Sequence, residues 1–165
     1  MSFGTSPIEL LACDAMLRGE VFCNGFVYSA RWLTGTSSAL GANATVDQPI
    51  QITAEADFVV QEMNLTAWSA AGTLVADPDL TINIAISSGR PLFNQEQTVR
   101  DVCGSFVAAE FPHVLPMPRL IPAQSTLTVT LANRTGTAWN RVTLSLVGFN
   151  VYYQTATRQQ IFHVI

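Results

Sequence analysis

At 165 residues the chain has the length of one domain, enough to bury roughly two thirds of the surface that its unfolded form exposes without help from disulfides or a metal. Charged residues make up 12% of it and hydrophobic ones 48%, against a usual charged share of about 25%. All eight basic residues are arginines, scattered from Arg18 to Arg158, and twelve acids leave a net charge of −4, which excludes a protein that tracks nucleic-acid phosphates with a surplus of cations.

Met1-Ser2-Phe3-Gly4 lacks the charged start and apolar run of a secretion signal. No stretch reaches the roughly 18 apolar residues of a membrane span. The expectation is a soluble protein made in a cytoplasm, with no membrane partner. Residues 1–17 read as an N-terminal arm or short helix, since Ile8, Leu11, Ala12 and Ala15 fall near one helical face and Ser6-Pro7 suits a helix start.

From residue 18 to 153 the pattern is that of strands. Candidates run over Glu20–Trp32, Pro49–Thr53, Phe58–Trp68 and Val99–Ala108, separated by turn signals such as Ala71-Gly72 and Asp77-Pro78-Asp79. The clearest alternation places Leu80, Ile82, Ile84 and Ile86 on one face, and Leu127, Val129 and Leu131 on another, within Ser125–Asn133. Val142, Leu144 and Leu146 alternate in the same way, and then Val147, Phe149, Val151 and Tyr153 continue one residue out of step, which predicts a bulge near Gly148.

Phe111 to Pro122 holds prolines at 112, 116, 118 and 122, so it is neither a helix nor a central strand. Proline removes a backbone donor and fixes φ. The segment should be an extended arm whose apolar side chains lie on the protein's own body or on a neighbouring subunit. Residues 154–165 form a C-terminal tail whose end, Ile161-Phe162-His163-Val164-Ile165, is too apolar to be left in water and invites a strand addition to its own sheet or a neighbour's.

Short strands with turns between them predict an all-β, antiparallel two-sheet sandwich, a jelly roll first and an immunoglobulin-like sandwich second, with at most one short helix near the N-terminus. So thin a charge coat predicts that part of the outside is covered by other protein copies, and arginine is the cation that interfaces favour. The bland alternative is a Thr/Ser/Asn-rich monomer surface.

The chemistry of enzymes is missing. G-x-S-x-G, the Walker loop, H-E-x-x-H and the dinucleotide fingerprint do not occur, and His113 and His163 are the only histidines. Both read as packing or interface residues. Cys13, Cys23 and Cys103 are too far apart for a zinc site and odd in number, so they read as buried thiols. Glu55, Asp57 and Glu62 are the nearest approach to a carboxylate cluster and read as solvated charges. Asp77 and Asp79 read as a turn rather than a calcium site. The sequons at Asn43, Asn64 and Asn133 read as by-products of a Thr-rich composition. No cofactor is expected. Among the tryptophans, Trp32 and Trp68 end strand-like segments, whereas Trp139 follows Gly136-Thr137-Ala138 in an expected loop and is the candidate for stacking on a glycan.

The stretches Phe111-Pro112-x-x-Leu115-Pro116-x-Pro118, Leu120 through Thr135, Arg141 through Phe149, and Ser87 through Phe93 together resemble tailed-bacteriophage virion proteins, above all the small jelly-roll auxiliary proteins that cement or decorate an icosahedral head. About a third of the chain takes part, and the first half of the sequence is not covered. The resemblance implies a non-enzymatic protein on the capsid exterior that bridges neighbouring copies of the major capsid protein and associates with itself as a dimer or trimer. On that reading Phe111, Leu115, Arg119, Ile161, Phe162 and Ile165 touch other chains. The alternative is a phage fibre or receptor-binding sandwich that recognises host glycan through Trp139, and a glycan-degrading enzyme comes third.

Overall fold

The computed structural model describes residues 21–89, 91–103 and 113–153. They form nine strands: β1 (Val21–Leu33), β2 (Thr45–Gln51), β3 (Asp57–Ser69), β4 (Leu74–Val75), β5 (Leu80–Ile86), β6 (Gln97–Thr98), β7 (His113–Ile121), β8 (Thr126–Asn133) and β9 (Trp139–Tyr153). One helical turn, α1 (Val99–Val102), follows β6. The expected helix of residues 6–17 and the tail 154–165 lie outside the described residues.

The strands make two antiparallel sheets. One runs β1-β9-β3, with both β7 and the two-residue β4 on the far edge of β3, and the other runs β2-β8-β5-β6. Leaving out β4, the chain passes from sheet to sheet in the order that defines a jelly roll, so that strands distant in sequence, β1 with β9 and β2 with β8, become neighbours. The antiparallel sandwich predicted by the short, turn-bounded strands is the fold observed.

Period-two alternation explains how the layers close. Leu80, Ile82 and Ile84 of β5 and Leu127, Val129 and Leu131 of β8 are buried against Tyr28, Ala30 and Trp32 of β1, Met63, Leu65 and Ala67 of β3, and Val142, Leu144 and Leu146 of β9 in one core. At about 25 cal/mol per Å² of apolar surface removed from water, this core is the main term holding the domain together. Trp32 is wholly inside, with its Nε1 donating to the Val46 carbonyl at 3.2 Å.

Three expectations need correction. Val99 to Val102 is a helical turn rather than the start of a strand, with Val99 buried and Thr98 as its N-cap; the spacing of three in Val-x-x-Val puts both side chains on one helical face and does not fit a period of two. β2 begins at Thr45, not Pro49. As an edge strand it tolerates a proline, because that side of the backbone has no ladder bond to lose.

The third concerns β9. Its pairing with β1 is unbroken from Val21↔Tyr153 to Leu33↔Arg141. The extra residue that interrupts the β3–β9 ladder lies on β3, between Val60 and Glu62. The change of parity after Leu146 is therefore a change of face: Val147, Phe149, Val151 and Tyr153 point away from the core. Gly148 still marks the irregularity, since a Cβ there would fall 1.9 Å from the Val59 carbonyl oxygen.

Candidate functional site

The outward residues of β9 belong to rows that cross the whole five-stranded sheet, because paired residues share a face. Gly25, Phe149, Val59 and Leu120 form one row, and Val27, Val147, Glu62 and Val114 the next. The first joins a second apolar cluster, built on buried Val21, Val59 and Val151 with Cys23, Leu120, Phe149 and Tyr153 against it. At the rim of this cluster Val27 is 53% exposed and Val114 62%.

β1 adds a further apolar feature at the same end. Its residues from Phe22 to Val27 are almost all exposed: Gly25 and Val27 belong to the outer face, and Phe22, Asn24 and Phe26 face the side of the second sheet, whose seven-residue strands are too short to cover a strand of 13 residues. Phe22 is 66% exposed and leans on Tyr152, across the ladder, at 6.0 Å between ring centroids. Phe26 continues inward to Tyr28, which meets Phe58 edge-on at 4.8 Å. Among the described residues β1 pairs only with β9.

Of the residues expected to touch other chains, Phe111, Ile161, Phe162 and Ile165 lie outside the described residues. Arg119 is exposed on β7, opposite Val60 in the ladder. Leu115 corrects the expectation: it is buried in the main core. The proline-rich arm is an edge strand of its own sandwich, paired with β3 alone among the described residues, and period-two alternation puts Leu115 inside and its neighbour Val114 outside. Sequence reading alone does not tell which member of that pair is covered, because alternation fixes which residues share a face but not which face is buried.

Trp139 is also corrected. It opens β9 and is buried, and its Nε1 donates to Asn133 Oδ1 at 3.1 Å. Asn133 is the centre of a closed network: its Nδ2 donates to the carbonyls of Gly41 at 2.6 Å and Thr137 at 2.8 Å, and its Oδ1 also accepts from the Thr135 backbone N–H at 3.0 Å. A ring held in this way offers no face to a sugar. The same burial applies to Asn64, so two of the three sequon asparagines are inside the protein, and only Asn43 is exposed.

The acids are dispersed. Glu55 is exposed, Asp57 is buried with its Oδ1 accepting the Ala123 N–H at 2.6 Å, and Glu62 stands two rows from Asp57 with Val59 and Phe149 between. No cluster of three or more His, Cys, Asp or Glu suited to a metal occurs among the described residues. Burial pushes the Cys103 thiol up to about 12, the behaviour of an inert core thiol. Glu96 is held below the usual carboxylate range by the hydroxyl of Thr81, and then by Arg134, whose guanidinium it meets at 2.6 Å.

Comparison with family models and with curated proteins gives no match. The structure is similar to the crystal structure of the infectious bursal disease virus VP2 subviral particle, at 11% sequence identity and a TM-score of 0.25, over 82% of this chain. The chain spans 37% of the length of that protein. Agreement at that level carries no functional inference, and jelly rolls serve capsid and sugar-binding proteins alike.

Proposed function

We propose that this protein is a non-enzymatic structural component of a virion, an auxiliary protein that cements or decorates the exterior of an icosahedral bacteriophage head by bridging neighbouring major capsid subunits. The observation that carries this reading is the set of exposed apolar side chains in one half of the five-stranded sheet, Val27 and Val114 in one row of its outer face and Phe22 on the other face of β1, in a domain so poor in charge. A monomer that keeps such a patch in water forfeits the stabilisation its burial would bring, about 25 cal/mol per Å². Burying it against capsid subunits or a second copy recovers that energy, and symmetry repeats each modest contact around the shell. The role needs no cofactor, no nucleic acid and no catalytic group.

The test is binding to shells from which accessory proteins have been stripped. Wild type is expected to cosediment with them to saturation, and the Val27→Glu/Val114→Glu double variant to bind at least about tenfold more weakly with its circular dichroism spectrum unchanged. Both side chains lie on the surface, where substitutions cost within about 0.5 kcal/mol of stability. Wild type that fails to bind, or a double variant that binds equally well, refutes the proposal.

A further inference from the structure

The other half of the same sheet face is polar and carries a different chemistry. Arg31, Thr143 and Thr66 form one row across the strands, and Leu33, Arg141 and Trp68 form the next. Two shallow depressions of about 470 and 390 Å³ open there and share Leu33, Trp68 and Arg141, a size suited to a small polar molecule.

Arg141 lies with its Cζ 3.7 Å from the centroid of the Trp68 ring. Stacking uses the flat face of a guanidinium and leaves its N–H edge free to grip a planar anion with two parallel hydrogen bonds. Among the described residues neither Arg141 nor Arg31 meets a carboxylate, whereas Arg100 is paired with Asp77 at 3.0 Å and Arg134 with Glu96 at 2.6 Å. The two unneutralised cations stand diagonally across adjacent strands, where like charges repel. An anion between them removes that repulsion. In a chain of net charge −4 this pair is a local reversal of sign.

The surrounding groups narrow the ligand class. Among the described residues the side chains of Thr66, Thr143 and Asn140 find no hydrogen-bond partner, and they line the two depressions. Leu33, 36% exposed, supplies an apolar contact beside them. A bare inorganic anion needs only the arginines. Hydroxyl and amide groups free to donate and accept, next to an apolar spot, suit a polyhydroxylated ring that shows C–H groups on one side. We infer that this end of the sheet binds an acidic saccharide, with the sugar carboxylate held by Arg31 and Arg141 and the ring hydroxyls by Thr66, Thr143 and Asn140. The site goes beyond the assembly role and shares no residue with the Val27–Val114 row, so it fails or stands independently of shell binding.

The full chain is titrated with N-acetylneuraminic acid, with glucuronic acid, with glucose as the neutral control and with inorganic phosphate, and followed by NMR at the arginine Nε–H and tryptophan Nε1–H groups. An acidic sugar is expected to shift Arg31, Arg141 and Trp68. Its affinity should fall at least about tenfold in Arg31→Gln and in Arg141→Gln, and stay unchanged in Arg134→Gln. Among the described residues Arg31 has no ion pair to lose, so its variant keeps the test valid if Arg141→Gln folds poorly. Glucose binding as well as glucuronic acid, phosphate binding as tightly as either acid sugar, or full affinity in the Arg31→Gln variant each overturns the inference. So does an acidic peptide that outcompetes the sugars.

Discussion

Gly148 is the residue on which the geometry of the larger sheet turns. Where β3 carries its extra residue, the β9 backbone comes so close that a Cβ would fall 2.9 Å from the Val59 carbonyl carbon and 3.1 Å from the Val60 Cα, in addition to its clash with the carbonyl oxygen. These neighbours are main chain and cannot swing aside, so Gly148→Ala should cost about 3 kcal/mol, at the upper end of overpacking, read as a lower urea midpoint with unchanged slope. Asn133 acts by satisfaction rather than space: one buried amide ties together the loops at Gly41 and Thr137 and the Trp139 indole. Asn64 is the opposite case, since its buried side-chain oxygen and nitrogen find no hydrogen-bond partner among the described residues.

Cys103 makes the stability of the protein depend on pH. Its thiol is raised from 9.0 to about 12 by burial, so above pH 9 the unfolded chain loses a proton that the folded one keeps. The folded state then binds more protons, and stability falls with rising pH. The loss begins near pH 9 and ends near pH 12, at about 1.4 kcal/mol per unit within that window. Urea titrations of wild type and Cys103→Ala should therefore show a stability difference that is constant below pH 9 and shrinks above it.

Among the edge strands of the described residues, β1 is the longest without a proline. It is an outer strand of 13 residues, and its stretch from Phe22 to Val27 has neither a lysine nor a proline to discourage pairing. Two copies related by a twofold axis can join there in antiparallel register with Asn24 opposite Asn24, which sets Phe22 of one against Phe26 of the other and Val21 against Val27. Opposed residues then share a face, as sheet geometry requires. Phe22→Lys is expected to lower self-association in sedimentation experiments without changing the melting temperature. The proline-rich β7 shows the contrary device, an outer strand whose missing donors keep further strands away.

For the whole molecule, the two halves of the outer face of the larger sheet make opposite demands on solvent. Contacts made through Val27 and Val114 on that face, and through Phe22 on the other face of β1, are apolar, so association through them should persist or strengthen as sulfate concentration rises, whereas ionic contacts weaken over the same range. Sedimentation in increasing ammonium sulfate distinguishes the two, and dissociation by salt would show that charges hold the copies together.

Much of this was legible in the sequence. Alternation over Leu80–Ile86 and Thr126–Asn133 announced both central strands of the smaller sheet, and the prolines kept β7 at an edge. The candidate site was less legible. Leu115 and Val114 are both apolar and adjacent, and only the covering sheet decides which of them is core. Trp139 looks exposed when read after Gly-Thr-Ala, and it is buried because Asn133, six residues earlier, folds back to receive its N–H. Arg31, Trp68 and Arg141 carry no shared motif, since their proximity comes from the pairing of β1, β9 and β3.

The amino-acid order by itself determined the strand character, the shortage of charge and the absence of enzyme motifs, because these are local or compositional properties. Tertiary structure decided which apolar residues meet water and which cations stand together. Those outcomes depend on contacts between strands more than a hundred residues apart, as in the register of Arg31 with Thr143, and no period of two can encode them.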